Sequence, residues 1–146
     1  MAPSRALPLL GVDSMVFVYH LEGNRDFGAA AGALLEAAEL GRCRLAASAL
    51  ALLEILVVPQ RMGRTDLCRR YRDLLESFPN LDFHELDLDI AEKAAELRAR
   101  YDLRTPDAIH LATALAAGAE SFASEDRRLR KVKELKVIPL AAALAP

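Results

Sequence analysis

Short apolar runs alternate with longer helical segments along the chain, and this alternation is the feature that most limits the possible folds. Residues 7–12 are continuously apolar, which is typical of a strand covered on both faces. Further strands are predicted at residues 42–47, 81–84, 121–123 and 136–138. Strands that alternate with helices favour a mainly parallel sheet with helices on both faces. The sequence therefore predicts an α/β fold in three layers, α/β/α, around a central, mainly parallel five-stranded sheet.

The predicted helices carry start and stop signals. Ser48 caps a helix that ends before Pro59, because proline disfavours helical backbone at the residue before it. Thr105 caps a later helix with Pro106 at its first position, and Gly118 ends that helix. The other helices are predicted over residues 14–21, 24–40, 64–78 and 87–101.

The chain has the length and composition of one domain with its own core. Its 146 residues are 53% hydrophobic and 27% charged, which excludes disorder, and a chain of this length needs no disulfide or metal to stabilise it. We expect a single domain over residues 1–146, with flexible ends at residues 1–6 and 141–146. Cys43 and Cys68 are isolated, which disfavours a zinc site and fits a reducing cytoplasm. Neither a signal peptide nor a membrane span is expected.

Three aspartates stand where the working site of such a fold is expected, outside the carboxyl ends of the strands. Asp13 follows the first strand, Asp126 follows the strand that ends at Ala123, and Asp107 lies in the first turn of the Thr105 helix. Each also has an ordinary structural explanation, because Asp13 and Asp126 can cap helices and Asp107 can stabilise a helix dipole. None of the three is diagnostic by itself.

Glu54 is more informative, because it lies in a helix that is apolar on almost every face. An ionised carboxylate there is costly unless it is paired or binds a cation. Two interpretations stay open: a buried salt bridge to an arginine, or a side chain that points into a polar pocket with the three aspartates. Two carboxylates ~5 Å apart repel by about 3 kcal/mol at an effective dielectric of ~20, so four together need protonation or a divalent cation. Oxygen ligands without a His or Cys cluster favour Mg²⁺ or Mn²⁺, and such acidic sites bind phosphate oxygens and activate water.

Four short motifs in these regions resemble those of the PIN-domain family. Residues 12–19 (VDSMVFVY) resemble the first motif, an apolar strand that ends in Asp followed by Ser or Thr. Ser48 with Glu54 resembles the second motif, residues 103–114 (LRTPDAIHLATA) resemble the third and most specific, and residues 124–126 (SED) resemble the last. Because they occur in order, the resemblance covers nearly the whole chain. In length and detail the chain is most similar to the VapC-type toxins of type II toxin–antitoxin pairs.

The resemblance implies a PIN-like fold and a metal-dependent endoribonuclease. It implies that Asp13, Glu54, Asp107 and Asp126 hold Mg²⁺ or Mn²⁺, directly or through water, and that Ser14 and Ser124 orient carboxylates or water. One or two ions would activate water for attack on phosphorus, which leaves a 5′-phosphate. The implied partners are RNA, a separate antitoxin protein whose tail covers the acidic groove, and a second copy of the chain. The apolar helix over residues 29–40 is a candidate face for that homodimer, with burial in the core as the alternative.

The fourth motif departs from the family pattern, because Glu125 adjoins Asp126 and either acid is a candidate for the fourth ligand. Arg127 and Arg128 follow where many relatives carry an aromatic residue. They begin a basic cluster at residues 127–133, which together with a second cluster at residues 61–72 is a candidate wall for the RNA backbone. The ordinary explanation for both clusters is a solvated helix face.

Other interpretations of single residues and of the whole chain remain. His110 lies three residues after Asp107, where it would touch substrate or water, or else be a satisfied core histidine. A domain that keeps the fold but binds RNA or protein without cutting is one alternative, although four intact acids count against it. Another phosphoryl-transfer domain is disfavoured, because Met15 stands where an Asp-x-Asp phosphatase has its second acid and Pro139 follows the last strand in place of a receiver lysine.

Overall fold

A computed structural model describes residues 6–144 of the chain. Within these residues the strands are β1 (Leu9–Val12), β2 (Arg44–Ser48), β3 (Leu81–His84), β4 (Ser121–Ala123) and β5 (Lys136–Ile138). The α-helices are α1 (Ser14–Leu21), α2 (Gly28–Glu39), α3 (Ala49–Arg61), α4 (Thr65–Glu76), α5 (Leu88–Tyr101) and α6 (Thr105–Ala117). Two 3₁₀ helices, Arg127–Lys131 and Leu140–Ala142, complete the elements of this part of the chain.

The strands form one sheet in the order β3-β2-β1-β4-β5, and every neighbouring pair is parallel. This confirms the predicted three-layer α/β fold and makes its sheet wholly parallel. The strand order turns between β1 and β4, because the chain moves outward through β2 and β3 and then returns to the other side of β1. In parallel sheets this position, beyond the carboxyl ends of the strands, is where functional sites form.

The sheet separates two apolar cores, one on each face. Leu10, Val12 and Leu45 belong to a core that also contains buried residues of α1, α2 and α3. Phe122 and Leu111 belong to the other core, which is built with α5, α6 and the 3₁₀ helix that starts at Arg127. Both faces of the central strands are therefore covered, which is why their sequences are apolar without alternation.

Helix α6 lies unusually close to the central strand, because Gly11 has no side chain. A Cβ atom built at Gly11 would lie 2.3 Å from the Cβ of Ala114 and 2.8 Å from Cδ2 of Phe122. Carbon atoms in contact normally lie about 3.5–4.0 Å apart, so α6 could not approach β1 this closely with any larger residue at this position. The contact sets the distance between β1 and the C-terminal half of α6.

Some predicted boundaries are wrong. Helix α3 continues through Pro59 to Arg61, so the proline lies inside the helix and leaves the carbonyl four residues earlier without its N–H donor. Helix α2 begins at Gly28 rather than residue 24, since the side chain of Asn24 accepts hydrogen bonds from the N–H groups of Asp26 and Phe27 and forms a turn ahead of the helix.

The start of α6 also differs from the prediction. Arg104 is its N-cap, without a side-chain capping bond, and Thr105 is already the first helical residue. The predicted strand over residues 42–47 is shifted to Arg44–Ser48, with Ser48 also capping α3 as expected through a 3.1 Å bond from the N–H of Leu50. The strands β3, β4 and β5 and helix α1 have the predicted bounds.

The apolar face of α2, a candidate homodimer surface in the sequence, is part of the core. Its Ala31, Leu34 and Ala38 are fully buried. At the chain ends, residues 1–5 and 145–146 of the expected flexible segments lie outside the described residues. The described part of the C-terminal segment enters a 3₁₀ helix whose first residue, Leu140, is buried. Among residues 6–144, no helix combines the length and apolar character that crossing a membrane requires.

Candidate active site

The polar side chains that the sequence selects lie around one cavity at the carboxyl edge of the sheet. Its volume is about 470 Å³, and its lining includes Asp13, Ser14, Glu54, Asp107, Ser124 and Asp126. Asp13 and Ser124 follow the adjacent strands β1 and β4, whereas Glu54 comes from α3 and Asp107 from the first turn of α6. The topology thus brings together residues up to 113 positions apart (13 to 126) at the point where the strand order turns.

A larger cavity, about 510 Å³, lies beside α5 and α6 and has a different character. Its lining is mainly alanine and other apolar residues, and Arg98 is its one charged member among the residues that line it. It offers no group of acids, bases or nucleophiles, in contrast to the smaller, acidic cavity.

Asp13 is held in place from two sides. Its Oδ1 accepts a 3.0 Å hydrogen bond from the N–H of Met15, which makes it the N-cap of α1, and its Oδ2 accepts a 3.2 Å bond from the hydroxyl of Ser124. Burial raises the pKa of Asp13 above its usual value and Asp107 adds to the rise, while His110 and the two hydrogen bonds oppose it. The capping explanation is therefore correct, and Asp13 lines the cavity as well.

Ser124 connects the two acids that follow β1 and β4. Its hydroxyl donates to Asp13 and accepts a 3.1 Å hydrogen bond from the N–H of Asp126. Ser14, the first residue of α1, is buried beside the cavity. The geometry of Ser124 is that of a hydroxyl that orients a carboxylate.

Glu54 has a polar partner, and that partner is a histidine rather than an arginine. Its Oε1 lies 2.6 Å from Nε2 of His110. The His110 side chain is 3% exposed and that of Glu54 is 33% exposed. The carboxylate therefore projects from an apolar helix to the rim of the cavity, where one of its oxygens meets a buried imidazole.

Asp107 and Asp126 are each paired with an arginine of the cavity rim. Oδ2 of Asp107 accepts a 2.9 Å bond from Nε of Arg104, and Oδ2 of Asp126 accepts a 2.7 Å bond from Nη2 of Arg128. The hydrogen bond from Arg128 lowers the pKa of Asp126. Both guanidinium groups are about two-thirds exposed, so these ion pairs are of the surface type that contributes little to stability and exchanges readily.

Glu125, the competing candidate for the fourth acid, also lines the cavity. Its Oε1 accepts a 2.8 Å hydrogen bond from the N–H of Leu140, at the start of the C-terminal 3₁₀ helix. The Oδ1 of Asp126 accepts from the N–H of Arg128 and caps the 3₁₀ helix Arg127–Lys131. Glu125 is thus tied to the C-terminal segment, whereas Asp126 shares Ser124 with Asp13.

The carboxylates fit a divalent cation in chemistry, although they do not converge on one point as they stand. Five acids, Glu125 among them, and two serine hydroxyls line one cavity, and these are the oxygen donors that Mg²⁺ and Mn²⁺ prefer. Over residues 6–144, no group of three or more His, Cys, Asp or Glu side chains has the arrangement of a formed metal site. Two of the acids, Asp107 and Asp126, are instead paired with Arg104 and Arg128.

The two basic clusters differ in their relation to the cavity. The cluster at residues 61–72 contains the local ion pairs Arg64–Asp66 and Arg72–Glu76. The cluster at residues 127–133 begins with the 3₁₀ helix directly after Asp126, with exposed basic side chains at Arg127, Arg128, Arg130 and Lys131. The cluster at residues 127–133 is therefore the one adjacent to the acids.

Two residues of the site were missed or misjudged in the sequence. For His110 the sequence left two interpretations, a contact with substrate or water and a satisfied core histidine; the side chain is buried, but its Nε2 contacts Glu54 and its Nδ1 has no hydrogen-bond partner within the described residues. Its position three residues after Asp107 indicated the correct helix face. Arg104 was not predicted as a residue of the site, although it directly precedes the predicted helix start at Thr105.

Comparison with known proteins gives a family and several related folds. The family described as PIN domain matches residues 11–135. No curated protein sequence is significantly similar to the chain. A toxin–antitoxin complex from Klebsiella pneumoniae contains a chain with 23% identity and a TM-score of 0.67, over 91% of this chain and 97% of that one.

Two further solved structures have the same fold. VapBC2 from Rickettsia felis, bound to a DNA fragment from its promoter, contains a chain with 15% identity and a TM-score of 0.70, over 90% of this chain and 98% of that one. FitAB bound to the IR36 DNA fragment contains a chain with 17% identity and a TM-score of 0.69, over 91% and 95%. At these identities the likeness concerns the fold.

Proposed function

The chain belongs to the PIN-domain family, and we propose that it is a divalent-metal-dependent endoribonuclease that acts as the toxin of a toxin–antitoxin pair. The observation that carries the proposal is the gathering of Asp13, Glu54, Asp107 and Asp126 around one cavity at the turn in strand order. Their shared cavity is accounted for by a ligand that needs several carboxylates at once.

In the proposed site the four acids hold Mg²⁺ or Mn²⁺, directly or through water. Such an ion, when bound, polarises a phosphoryl oxygen and lowers the pKa of a water molecule. Ser124 keeps Oδ2 of Asp13 directed toward the cavity, and Ser14 is placed to orient a neighbouring carboxylate or water. Asp126 is preferred over Glu125 as the fourth acid, because it shares a hydrogen-bonded serine with Asp13.

The substrate proposal follows from the charges next to the acids. An acidic cavity repels phosphate groups, so a basic rim is needed to bring RNA to it. Arg127 and Arg128 begin an exposed basic 3₁₀ helix directly after Asp126. We assign the RNA backbone to this surface, with water attacking phosphorus and the cleaved strand keeping a 5′-phosphate.

The proposed protein partners are an antitoxin and a second copy of the chain. The structures with the same fold come from complexes whose descriptions name toxin–antitoxin, VapBC2 and FitAB assemblies, which supports the antitoxin. For the homodimer, α2 is ruled out by its burial, whereas Leu53, Val58 and Met62 along and just after α3 are exposed large apolar side chains. The free, buried cysteines Cys43 and Cys68 fit the proposed cytoplasmic location.

An RNA cleavage assay tests the function. The purified chain is incubated with RNA and Mn²⁺ or Mg²⁺, with and without chelator, beside Asp13→Asn and the matched control Asp73→Asn, an exposed aspartate of α4. We expect internal cleavage with 5′-phosphate ends for the wild type and Asp73→Asn, and none with chelator or Asp13→Asn. Cleavage that survives both chelation and Asp13→Asn contradicts the metal mechanism. Metal-independent RNA binding without cleavage of any RNA would favour a catalytically silent binding module.

A further inference from the structure

Glu54 reaches the cavity from a helix that gives its carboxylate no polar support. Its sequence neighbours Leu53 and Ile55 are apolar. The capping residue Ser48 lies at the N-terminus of the helix, six positions before Glu54. A glutamate side chain has several rotatable bonds, so its carboxylate takes a fixed direction only if another group holds it. The structure supplies one such contact, the 2.6 Å approach of Oε1 to Nε2 of His110.

His110 is much more rigidly placed than Glu54. Its side chain is 3% exposed, against 33% for that of Glu54. It lies on α6, which is fixed against β1 by the close contact of Ala114 with Gly11. Because one partner is locked in the core and the other is partly exposed, the histidine determines where the carboxylate goes.

The second ring nitrogen shows that His110 is not simply a core residue. Nδ1 is buried, and it has no hydrogen-bond partner among the described residues. A buried polar nitrogen without a partner is destabilising, and an apolar side chain at this position would avoid that cost. The histidine is therefore explained by what Nε2 does for Glu54 rather than by packing.

We propose that His110 is a positioning residue whose Nε2–H donates to Oε1 of Glu54 and directs this carboxylate into the acidic cavity. The contact commits one carboxylate oxygen to His110 and leaves the other for a cation. The inference rests on the proposed function, because the direction of Glu54 matters only if this acid is a ligand. Partners of metal ligands typically change metal affinity when they are replaced, even though they do not touch the ion.

Two isosteric substitutions separate positioning from packing. In His110→Gln the amide nitrogen takes roughly the place of Nε2, whereas in His110→Asn the shorter side chain places it near Nδ1, out of reach of Glu54. Mn²⁺ affinity is measured by calorimetry on the intact chain without RNA, with thermal unfolding as the check on folding. We expect His110→Gln to stay within about threefold of the wild-type affinity and His110→Asn to lose about tenfold or more. Equal affinities of the two folded variants would overturn the proposal.

A second measurement leaves His110 in place and needs no metal. Side-chain ¹⁵N NMR of the wild-type chain reports which ring nitrogen of His110 is protonated. We expect a slowly exchanging proton on Nε2 that loses its protection in Glu54→Ala. An unprotonated Nε2, or the same signal in Glu54→Ala, would overturn the proposal even if His110→Asn fails to fold. Absence of Mn²⁺ binding by the wild type, with the Nε2 proton present, would instead contradict the proposed metal site and leave the His110–Glu54 contact established.

Discussion

Replacing Gly11 by alanine should strongly destabilise the protein, because there is no room for a methyl group between β1 and α6. The added Cβ would lie 2.3 Å from Cβ of Ala114 and 2.8 Å from Cδ2 of Phe122. Against a normal carbon contact of about 3.5–4.0 Å, the first distance is short by more than ~1 Å. Neither neighbour is the end of a flexible chain, so the helix or the strand must move.

The size of the effect follows from the cost of overpacking. Extra methyl groups in a packed core cost about 1–3 kcal/mol, and the overlap at Gly11 places this substitution near 3 kcal/mol. For a domain of this size, each kcal/mol lowers Tm by roughly 2–4 °C, which gives an expected decrease of about 6–12 °C. Thermal and urea unfolding measure it.

A compensating substitution provides the control. Ala114→Gly alone should cost about 1 kcal/mol through lower helix propensity. In the Gly11→Ala, Ala114→Gly double variant the closest overlap is gone, so the two effects should combine to less than their sum by ~1 kcal/mol or more. A Tm of Gly11→Ala within ~2 °C of the wild type, or strictly additive effects, would refute the packing argument.

Three further outcomes are expected. Asp87→Ala removes the N-cap of α5, a 2.8 Å bond to a first-turn N–H, so it should lower the free energy of unfolding by about 1 kcal/mol in urea titrations while RNA cleavage stays unchanged. Arg104→Gln releases Asp107 from its ion pair, so calorimetry should show about two- to fivefold tighter Mn²⁺ binding. The control Arg127→Gln removes the same charge from an exposed arginine and should leave the Mn²⁺ affinity unchanged. Mn²⁺ at ~100 times its Kd should stabilise the wild type by about 2.7 kcal/mol in thermal unfolding, and Asp13→Asn should lose this increment.

The sequence contains enough information for the fold and for the selection of acids. Apolar runs followed by polar residues predict the parallel sheet, and Glu54 in an apolar helix identifies an unusual carboxylate. These features are local, since each depends on residues within one or two helical turns. Pro59 shows the limit of such rules, because α3 does not end before it but continues to Arg61.

The contacts inside the site were not predictable in the same way. His110 meets Glu54 across 56 positions of the chain, and the closeness of α6 to β1 depends on Gly11, Ala114 and Phe122 together. Such pairings arise from the packing of elements that are far apart in sequence. Asp107 and Arg104 are only three positions apart. Their pairing still could not be predicted, because it depends on which other side chains line the cavity.

The central claim is that the acids around the cavity hold a divalent cation, and a crystal grown with Mn²⁺ tests it most directly. Anomalous diffraction locates Mn²⁺ independently of any assumption about the reaction. The account predicts a peak in the cavity about 2 Å from carboxylate oxygens of Asp13 and of at least one of Glu54, Asp107 and Asp126. A cavity without an anomalous peak at saturating Mn²⁺, or a peak only at acids elsewhere on the surface, would contradict it.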